Sequence, residues 1–170
     1  MRFEEFKCFG DVYLIAEIGV NYYDIAKERE ISPLAAAKLM IDEAVAAGIH
    51  CVKFQSYKGD KLVTASAPSY WDTSKESIGS QRELFEKFDH FGAEQYEELS
   101  LYSKEKEIDF MSTPFDEEAA DYLEGLMDIY KVSSSDINNI PFIKYMAKKK
   151  KPMLISTGAA EIREIRRAVD

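Results

Sequence analysis

Residues 108–158, IDFMSTPFDEEAADYLEGLMDIYKVSSSDINNIPFIKYMAKKKKPMLISTG, decide the fold. They contain three short apolar runs, at 108–114, 129–136 and 152–158, of the kind found in buried strands. Amphipathic stretches separate the runs, and DEEAADYLEGL carries its acids in the first turn, where the helix dipole favours them. Because two parallel strands need a crossover between them, this alternation predicts an α/β fold with a parallel sheet.

The same alternation extends toward the amino terminus. Residues 12–19, VYLIAEIG, and 51–57, CVKFQSY, predict two further strands. The segment SPLAAAKLMIDEAVAAG between them predicts a helix with Ser32 as its N-cap, Pro33 at its first position and Gly48 just beyond its end. The sequence therefore contains about five βα units.

Five βα units are compatible with a doubly wound sheet or with a barrel. No G-x-G-x-x-G motif follows the first strand, which disfavours a dinucleotide-binding fold. A closed (β/α)₈ barrel has eight units and roughly 250 residues. The 170 residues therefore predict either part of a barrel or a different fold. A long polar and aromatic segment at 58–81, which we call the excursion, follows the second strand, and helical patterns resume near Arg82.

Composition narrows the class of protein. A formal net charge of −9 argues against a nucleic-acid-binding surface. No window is apolar enough to cross a bilayer, and the start MRFEEFKCFG lacks the apolar core of a signal peptide, so we expect a cytoplasmic protein without membrane contact. Cys8 and Cys51 form neither a disulfide framework nor a zinc motif, and we expect both thiols to be inert.

Polar residues gather at the carboxyl ends of the predicted strands, the edge where parallel α/β proteins build their sites. An acidic protein needs local cations to bind an anion, and Lys53 and Lys131 supply them. The pattern predicts a site for phosphate and carboxylate groups, although the two lysines could also neutralise Glu17 and Asp136. The polar residues at this edge are Glu17, Lys53, Gln55, Ser112, Thr113, Lys131, Ser134, Asp136, Ser156 and Thr157.

Several of these residues have a structural alternative. Glu17 lies inside an apolar run, where a carboxylate is costly unless paired, so we expect it to be functional rather than only a structural partner of Lys53. The serines at 133–135 could form a turn, and Asp136 with the two asparagines that follow could cap the next helix. Both interpretations of Asp136 remain open. His50, His90 and the cysteines have no metal-site spacing.

Four segments together resemble the sialic acid (N-acetylneuraminate) synthase family and its relatives that make legionaminic acid. They are AEIGVN, VKFQSYKGDKL, FMSTPFDEEAADYL and YKVSSSDINNIPFIKYMAKKKKPMLISTG, and they span nearly the whole chain. The resemblance implies a phosphoenolpyruvate-dependent synthase on a (β/α)₈ barrel, of which residues 1–170 would be the N-terminal portion. It implies the condensation of phosphoenolpyruvate with an N-acetylated amino sugar to form a nonulosonic acid and phosphate.

The resemblance also implies roles for single residues. Glu17 matches the acidic group beside the reacting carbons, Asp136 an acidic position near the intermediate, and Gln55 a sugar-side contact. For the family, the resemblance implies a divalent metal, Mn²⁺ or Mg²⁺, whose ligands lie on later strands that this chain lacks. It also implies a C-terminal antifreeze-like domain and a homodimer. The positions that match phosphoenolpyruvate-holding residues are Lys53, Thr113, Lys131, Ser134 and Ser156.

The chain departs from the family pattern at a few positions. Tyr22 stands where many members have His, and Ser133 and Ser135 stand where many have Gly. These changes bear on the identity of the sugar more than on the reaction. One alternative is a non-catalytic or partner-dependent fragment that only binds phosphoenolpyruvate, and another is an aldolase whose lysine forms a Schiff base.

Overall fold

The computed structural model describes residues 12–74 and 76–170. Cys8 and the start MRFEEFKCFG, which is not expected to be a signal peptide, lie outside the described residues. Its strands form one parallel sheet in the order β1-β2-β3 and a parallel pair β4-β5, with β4 beside β3. The strand order thus follows the chain, as the alternation of strands and helices predicted. The strands are β1 (Ile15–Gly19), β2 (Cys51–Ser56), β3 (Asp109–Pro114), β4 (Tyr130–Val132) and β5 (Met153–Ile155).

Helices connect the strands and pack against them. The core lies on the helix-facing side of the strands, where Phe54 of β2 packs against Tyr96. In the described parts of the chain, no helix is both long and apolar enough to cross a membrane. The helices are α1 (Tyr22–Arg29), α2 (Pro33–Ala46), α3 (Gly59–Leu62), α4 (Gln81–Phe88), α5 (Ala93–Glu105), α6 (Glu117–Leu123), α7 (Ile140–Ala147) and α8 (Ile162–Val169).

The ends of α2 follow from its sequence. The Ser32 side chain accepts a hydrogen bond from the Ala35 N–H, and Pro33 occupies the first turn. At the other end Gly48 has φ = 72°, and the Ile49 N–H donates to the Ala44 carbonyl, which is the pattern of a Schellman motif. The helix predicted for this segment is therefore confirmed together with both of its caps.

Strand lengths differ from the predictions at three places. β1 begins at Ile15 rather than at Val12, whose side chain is 74% exposed. β4 ends at Val132, because the Ser133 side chain accepts a hydrogen bond from the Ser135 N–H and residues Ser134–Asp136 turn into a 3₁₀ helix. The turn interpretation of the serine run is therefore confirmed. β5 covers only three of the seven residues predicted, and α1 was not predicted at all.

Hydrogen bonds from the start of the excursion to Asp89, the residue after α4, join the two ends of the segment between β2 and α5. Lys58 Nζ lies 2.6 Å from Asp89 Oδ1, and the Gly59 N–H donates to the second oxygen of the same carboxylate. A Cβ atom on Gly59 would lie only 2.9 Å from the backbone nitrogen of Glu86, so α3 and α4 approach closely enough to require glycine. Beyond this clamp, Tyr70 is exposed.

Candidate anion-binding site

A cavity of about 250 Å³ lies at the carboxyl ends of the strands. It brings together seven of the eight residues to which the resemblance assigns roles, but Asp136 is not among the described residues that line it, and neither are Ser112 and Thr157 of the wider polar set. Sequence reasoning missed two lining residues, Phe115 and Ser133. The lining residues are Glu17, Lys53, Gln55, Thr113, Phe115, Lys131, Ser133, Ser134 and Ser156.

Lys53 places a positive charge on the floor of this cavity. It lies in the middle of β2, directly between Glu17 of β1 and Met111 of β3 in the sheet register. Its side chain is only 8% exposed and forms an ion pair with the Glu17 carboxylate, and its Nζ is 3.5 Å from Thr113 Oγ1. A buried lysine with one carboxylate partner is well placed to attract a second anion.

Glu17 corrects the expectation of a buried carboxylate. Its side chain is 59% exposed, although the strand around it is apolar. The reason is that β1 lies at the edge of the described sheet, and Glu17 points to the cavity while Ile18 points into the core. The pairing with Lys53 matches the structural alternative.

Lys131 supplies the second cation. Its Nζ lies 2.6 Å from Oγ of Ser156, the residue after β5, and 2.6 Å from the Val132 carbonyl. Burial, and then the nearby charge of Lys53, lowers the pKa of Lys131, while Glu17 acts in the opposite direction. Two lysines and one glutamate leave the cavity with a net positive charge inside a protein of net charge −9. An entering anion would relieve the repulsion between the two lysines.

Gln55 reaches the cavity from the end of β2. Its side chain lies beside Gly19, where a Cβ atom would be 3.7 Å from the Gln55 amide carbon. Gly19 has φ = 56°, a left-handed conformation that favours glycine, and the register of β1 against β2 shifts between Glu17 and Gly19. This irregularity ends the β1–β2 ladder just where the Gln55 side chain enters the site.

Asp136 belongs to the segment that supports the site rather than to its lining. It lies in the 3₁₀ helix, and its Oδ1 accepts a weak hydrogen bond of 3.4 Å from Asn139. The helix cap is Asn139 itself, whose side chain accepts from the Phe142 N–H. Among the described residues, Asp136 Oδ2 is a buried oxygen without a hydrogen-bond partner. Burial raises the pKa of Asp136, and Asn139 lowers it less.

We expect the substitution Asp136→Asn to stabilise the fold by about 1 kcal/mol at neutral pH, because it removes the charge of a half-buried carboxylate that no cation pairs, and solvent screens the exposed half. The folded-state pKa lies above the ordinary 3.8, so the gain is complete above the raised pKa and disappears as the pH falls below the ordinary value. Urea unfolding of both proteins across this pH range measures the effect. The exposed Asp60→Asn is the control, and a loss of stability at neutral pH would contradict the prediction.

The histidines and the described cysteine do not form a metal centre. In residues 12–74 and 76–170 no group of three or more His, Cys, Asp or Glu side chains could hold a metal ion. His50 Nδ1 accepts a hydrogen bond from the Leu14 N–H, and His90 stacks on Tyr23. Cys51 is buried, and burial raises its pKa to about 12, which agrees with an inert thiol.

Comparison with known proteins supports the four-segment resemblance. Over 161 residues, the chain is 34% identical to the N,N′-diacetyllegionaminic acid synthase of Legionella pneumophila, covering 93% of this chain and 43% of that protein. It is 34% identical over 164 residues to the N-acetylneuraminate-9-phosphate synthase of Drosophila melanogaster, covering 96% of this chain and 42% of that protein.

A solved structure shows the same fold. The N-acetylneuraminic acid (sialic acid) synthetase from Leptospira borgpetersenii, crystallised with citrate, superposes with a TM-score of 0.77 at 30% identity over 94% of this chain and 49% of that one. The chain therefore spans less than half the length of these relatives. Residues 40–170 match the NeuB family, which is most of the sequence. The chain belongs to the NeuB family, as its four motif segments predicted.

Proposed function

We propose that the complete protein containing this chain condenses phosphoenolpyruvate with an N-acetylated amino sugar to form a nonulosonic acid and phosphate. The observation that carries the proposal is the pair of lysines, Lys53 and Lys131, that faces one cavity together with hydroxyl groups. The named activities of the relatives from Legionella and Drosophila, which are synthases of such sugar acids, support it.

In architecture, we propose that residues 1–170 are the N-terminal portion of a single barrel domain and supply the first five of its eight βα units. The parallel strands that follow one another in chain order support this, as does the likeness to the Leptospira structure. Later strands and an antifreeze-like domain would complete the protein, which we place in the cytoplasm as a homodimer.

In the proposed mechanism, the two lysines offset the charge of phosphoenolpyruvate. The hydroxyls of Thr113, Ser134 and Ser156 donate hydrogen bonds to its phosphate and carboxylate oxygens. The ligand takes the place of the Glu17 carboxylate on Lys53, which frees Glu17 beside the reacting carbons. The network that Lys131 forms with Ser156 is already in place and needs little rearrangement.

The reaction balances without an oxidant or reductant. The C3 carbon of phosphoenolpyruvate bonds to the aldehyde carbon of the open-chain sugar, water adds at C2, and phosphate leaves with cleavage of the C–O bond to give a 2-oxo acid. We propose that Glu17 moves protons in this sequence and that Gln55 contacts the sugar. Asp136 lies outside the cavity lining, so we propose that it acts on the intermediate only from the margin of the site.

The metal implied by the family does not fit the described residues on their own, since they contain no cluster of potential ligands. No step of the mechanism is therefore assigned to it. The side chains above account for binding and orienting the phosphoenolpyruvate.

The test is phosphate release by the complete protein from phosphoenolpyruvate, with a divalent metal and a panel of N-acetylated hexosamines and 6-deoxy diamino relatives. We expect release only with an amino sugar present, and failure across the whole panel would refute the proposal. The 170-residue chain, which would bind phosphoenolpyruvate without turnover, serves as the comparison. Condensation by this chain alone would instead rule out the alternative of a non-catalytic fragment.

A further inference from the structure

Buried hydroxyl groups lie behind the candidate site, on the helix-facing side of β2 and β3. Ser56 and Ser112 are buried, and their Oγ atoms lie 2.7 Å apart across the two strands. The hydroxyl of Tyr96, a residue of α5 that is only 2% exposed, reaches the same region. Buried polar groups are costly unless they are satisfied, so hydroxyls in an otherwise apolar layer indicate a specific task.

The Tyr96 hydroxyl bonds the backbone of a site residue. It donates to the carbonyl oxygen of Gln55 at 2.5 Å. The last residue of β2 that pairs with β1 is Phe54, opposite Gly19, so Gln55 lies one position beyond that ladder. Burial raises the pKa of Tyr96 well above its ordinary value, and the hydroxyl therefore keeps its proton and stays a donor.

This hydrogen bond acts on the cavity through the strand geometry. Successive side chains of a strand point to opposite faces, so the Gln55 side chain enters the cavity while Tyr96 holds its carbonyl from behind. On the other side, the Gln55 amide lies beside Gly19, where a Cβ atom would be 3.7 Å from the amide carbon. One residue further along, the Ser56–Ser112 pair joins β2 to β3 next to Thr113.

We infer that Tyr96 is a positioning residue that orients Gln55 toward the acceptor sugar. The inference rests on the proposed function, because Gln55 is the sugar-side contact in that proposal. Tyr96 touches no substrate; its hydroxyl contacts the Gln55 carbonyl and the neighbouring Ser56 side chain, and we infer that it acts on the site through the backbone of Gln55. Removing its hydroxyl lets the end of β2 relax and releases the Gln55 side chain, while Lys53, two residues earlier in the sheet register, keeps its place.

The substitution Tyr96→Phe tests this inference against Tyr102→Phe, a matched control on the same helix. Tyr102 donates to the Asp42 carboxylate at 2.9–3.0 Å on the outer surface, away from the cavity. Phenylalanine fills the same space in both variants, and we expect both to fold. In the complete enzyme, Tyr96→Phe should raise the KM for the amino sugar about tenfold and change the KM for phosphoenolpyruvate less than twofold, whereas Tyr102→Phe should change neither.

A purely structural role would lower stability without this split between the two KM values. In a double-mutant cycle with Gln55→Ala, the effects of the two substitutions should not add, since Tyr96 acts through Gln55. An unchanged KM for the amino sugar in active Tyr96→Phe enzyme, or full additivity with Gln55→Ala, would overturn the inference.

A second measurement does not depend on activity. The side-chain amide signals of Gln55 in a ¹⁵N-correlated NMR spectrum are identified by their loss in Gln55→Glu. We expect these signals to shift, and the Gln55 side chain to become more mobile, in Tyr96→Phe but not in Tyr102→Phe. Unchanged Gln55 signals in Tyr96→Phe would overturn the inference even if the enzyme turns over. A wild-type protein that is inactive with every sugar would refute the proposed function, and the NMR comparison would still show whether Tyr96 positions Gln55.

Discussion

Replacing Lys53 with methionine is expected to weaken the binding of inorganic phosphate and of phosphoenolpyruvate by roughly 100-fold. Truncating a buried charged partner costs about 2–5 kcal/mol in binding, and 1.4 kcal/mol corresponds to a factor of ten. Two effects act in the same direction here. The variant loses a cation that is only 8% exposed, and it leaves the Glu17 carboxylate at the cavity without its partner, where it repels an entering anion.

Isothermal titration of the complete protein with each anion measures this loss. Lys38→Met is the matched control, since Lys38 pairs with Glu98 at 2.6 Å on the outer surface and should not affect binding. Lys53→Arg keeps the charge and should recover part of the affinity, although arginine does not reproduce the point charge of an ammonium. A change of less than threefold in a folded Lys53→Met protein would show that the anion binds elsewhere.

The substitution Glu17→Gln is expected to separate binding from catalysis. Losing a positioned acid or base typically lowers the rate 10²- to 10⁴-fold, and we expect kcat to fall by that order. The affinity for phosphate should not fall and should rise, because glutamine competes less well for Lys53 than the carboxylate that now pairs with it.

Phosphate release under saturating substrates, together with phosphate titration, measures both quantities on the same preparation. Glu28→Gln on the exposed face of α1 is the control and should change neither. Weaker phosphate binding in Glu17→Gln would mean that Glu17 helps to hold the anion. An unchanged kcat would remove Glu17 from the chemistry.

The sequence predicted the strand-helix order and most of the cavity for one physical reason. Buried parallel strands are continuous apolar runs, and polar residues inside or just after such runs stand out, as Lys53 and Lys131 do. Their common location follows from the parallel direction of the strands, which places all carboxyl ends at one edge.

Features that depend on contacts with residues distant in the sequence could not be predicted from the pattern of apolar and polar residues. The exposure of Glu17 depends on the position of β1 at the sheet edge, which local sequence does not encode. Phe115 carried no polar signal, yet it follows β3 directly into the cavity. The early end of β4 reflects the hydrogen bond that the Ser133 side chain accepts from the Ser135 N–H, which competes with the strand ladder. The burial of Asp136 Oδ2 depends on the residues packed around it, which local sequence does not encode.

The clamp that Lys58 and Gly59 form with Asp89 makes the excursion after β2 a tolerant place for new sequence. Its ends stay joined whatever lies between them, and doubling the length of a flexible loop costs only about 0.6 kcal/mol. A peptide inserted beside the exposed Tyr70 would extend outward, while Lys53 and Gln55 keep their places in the strand below. Homologues could thus diversify this segment, and an engineer could graft a recognition loop there, without rebuilding the anion site.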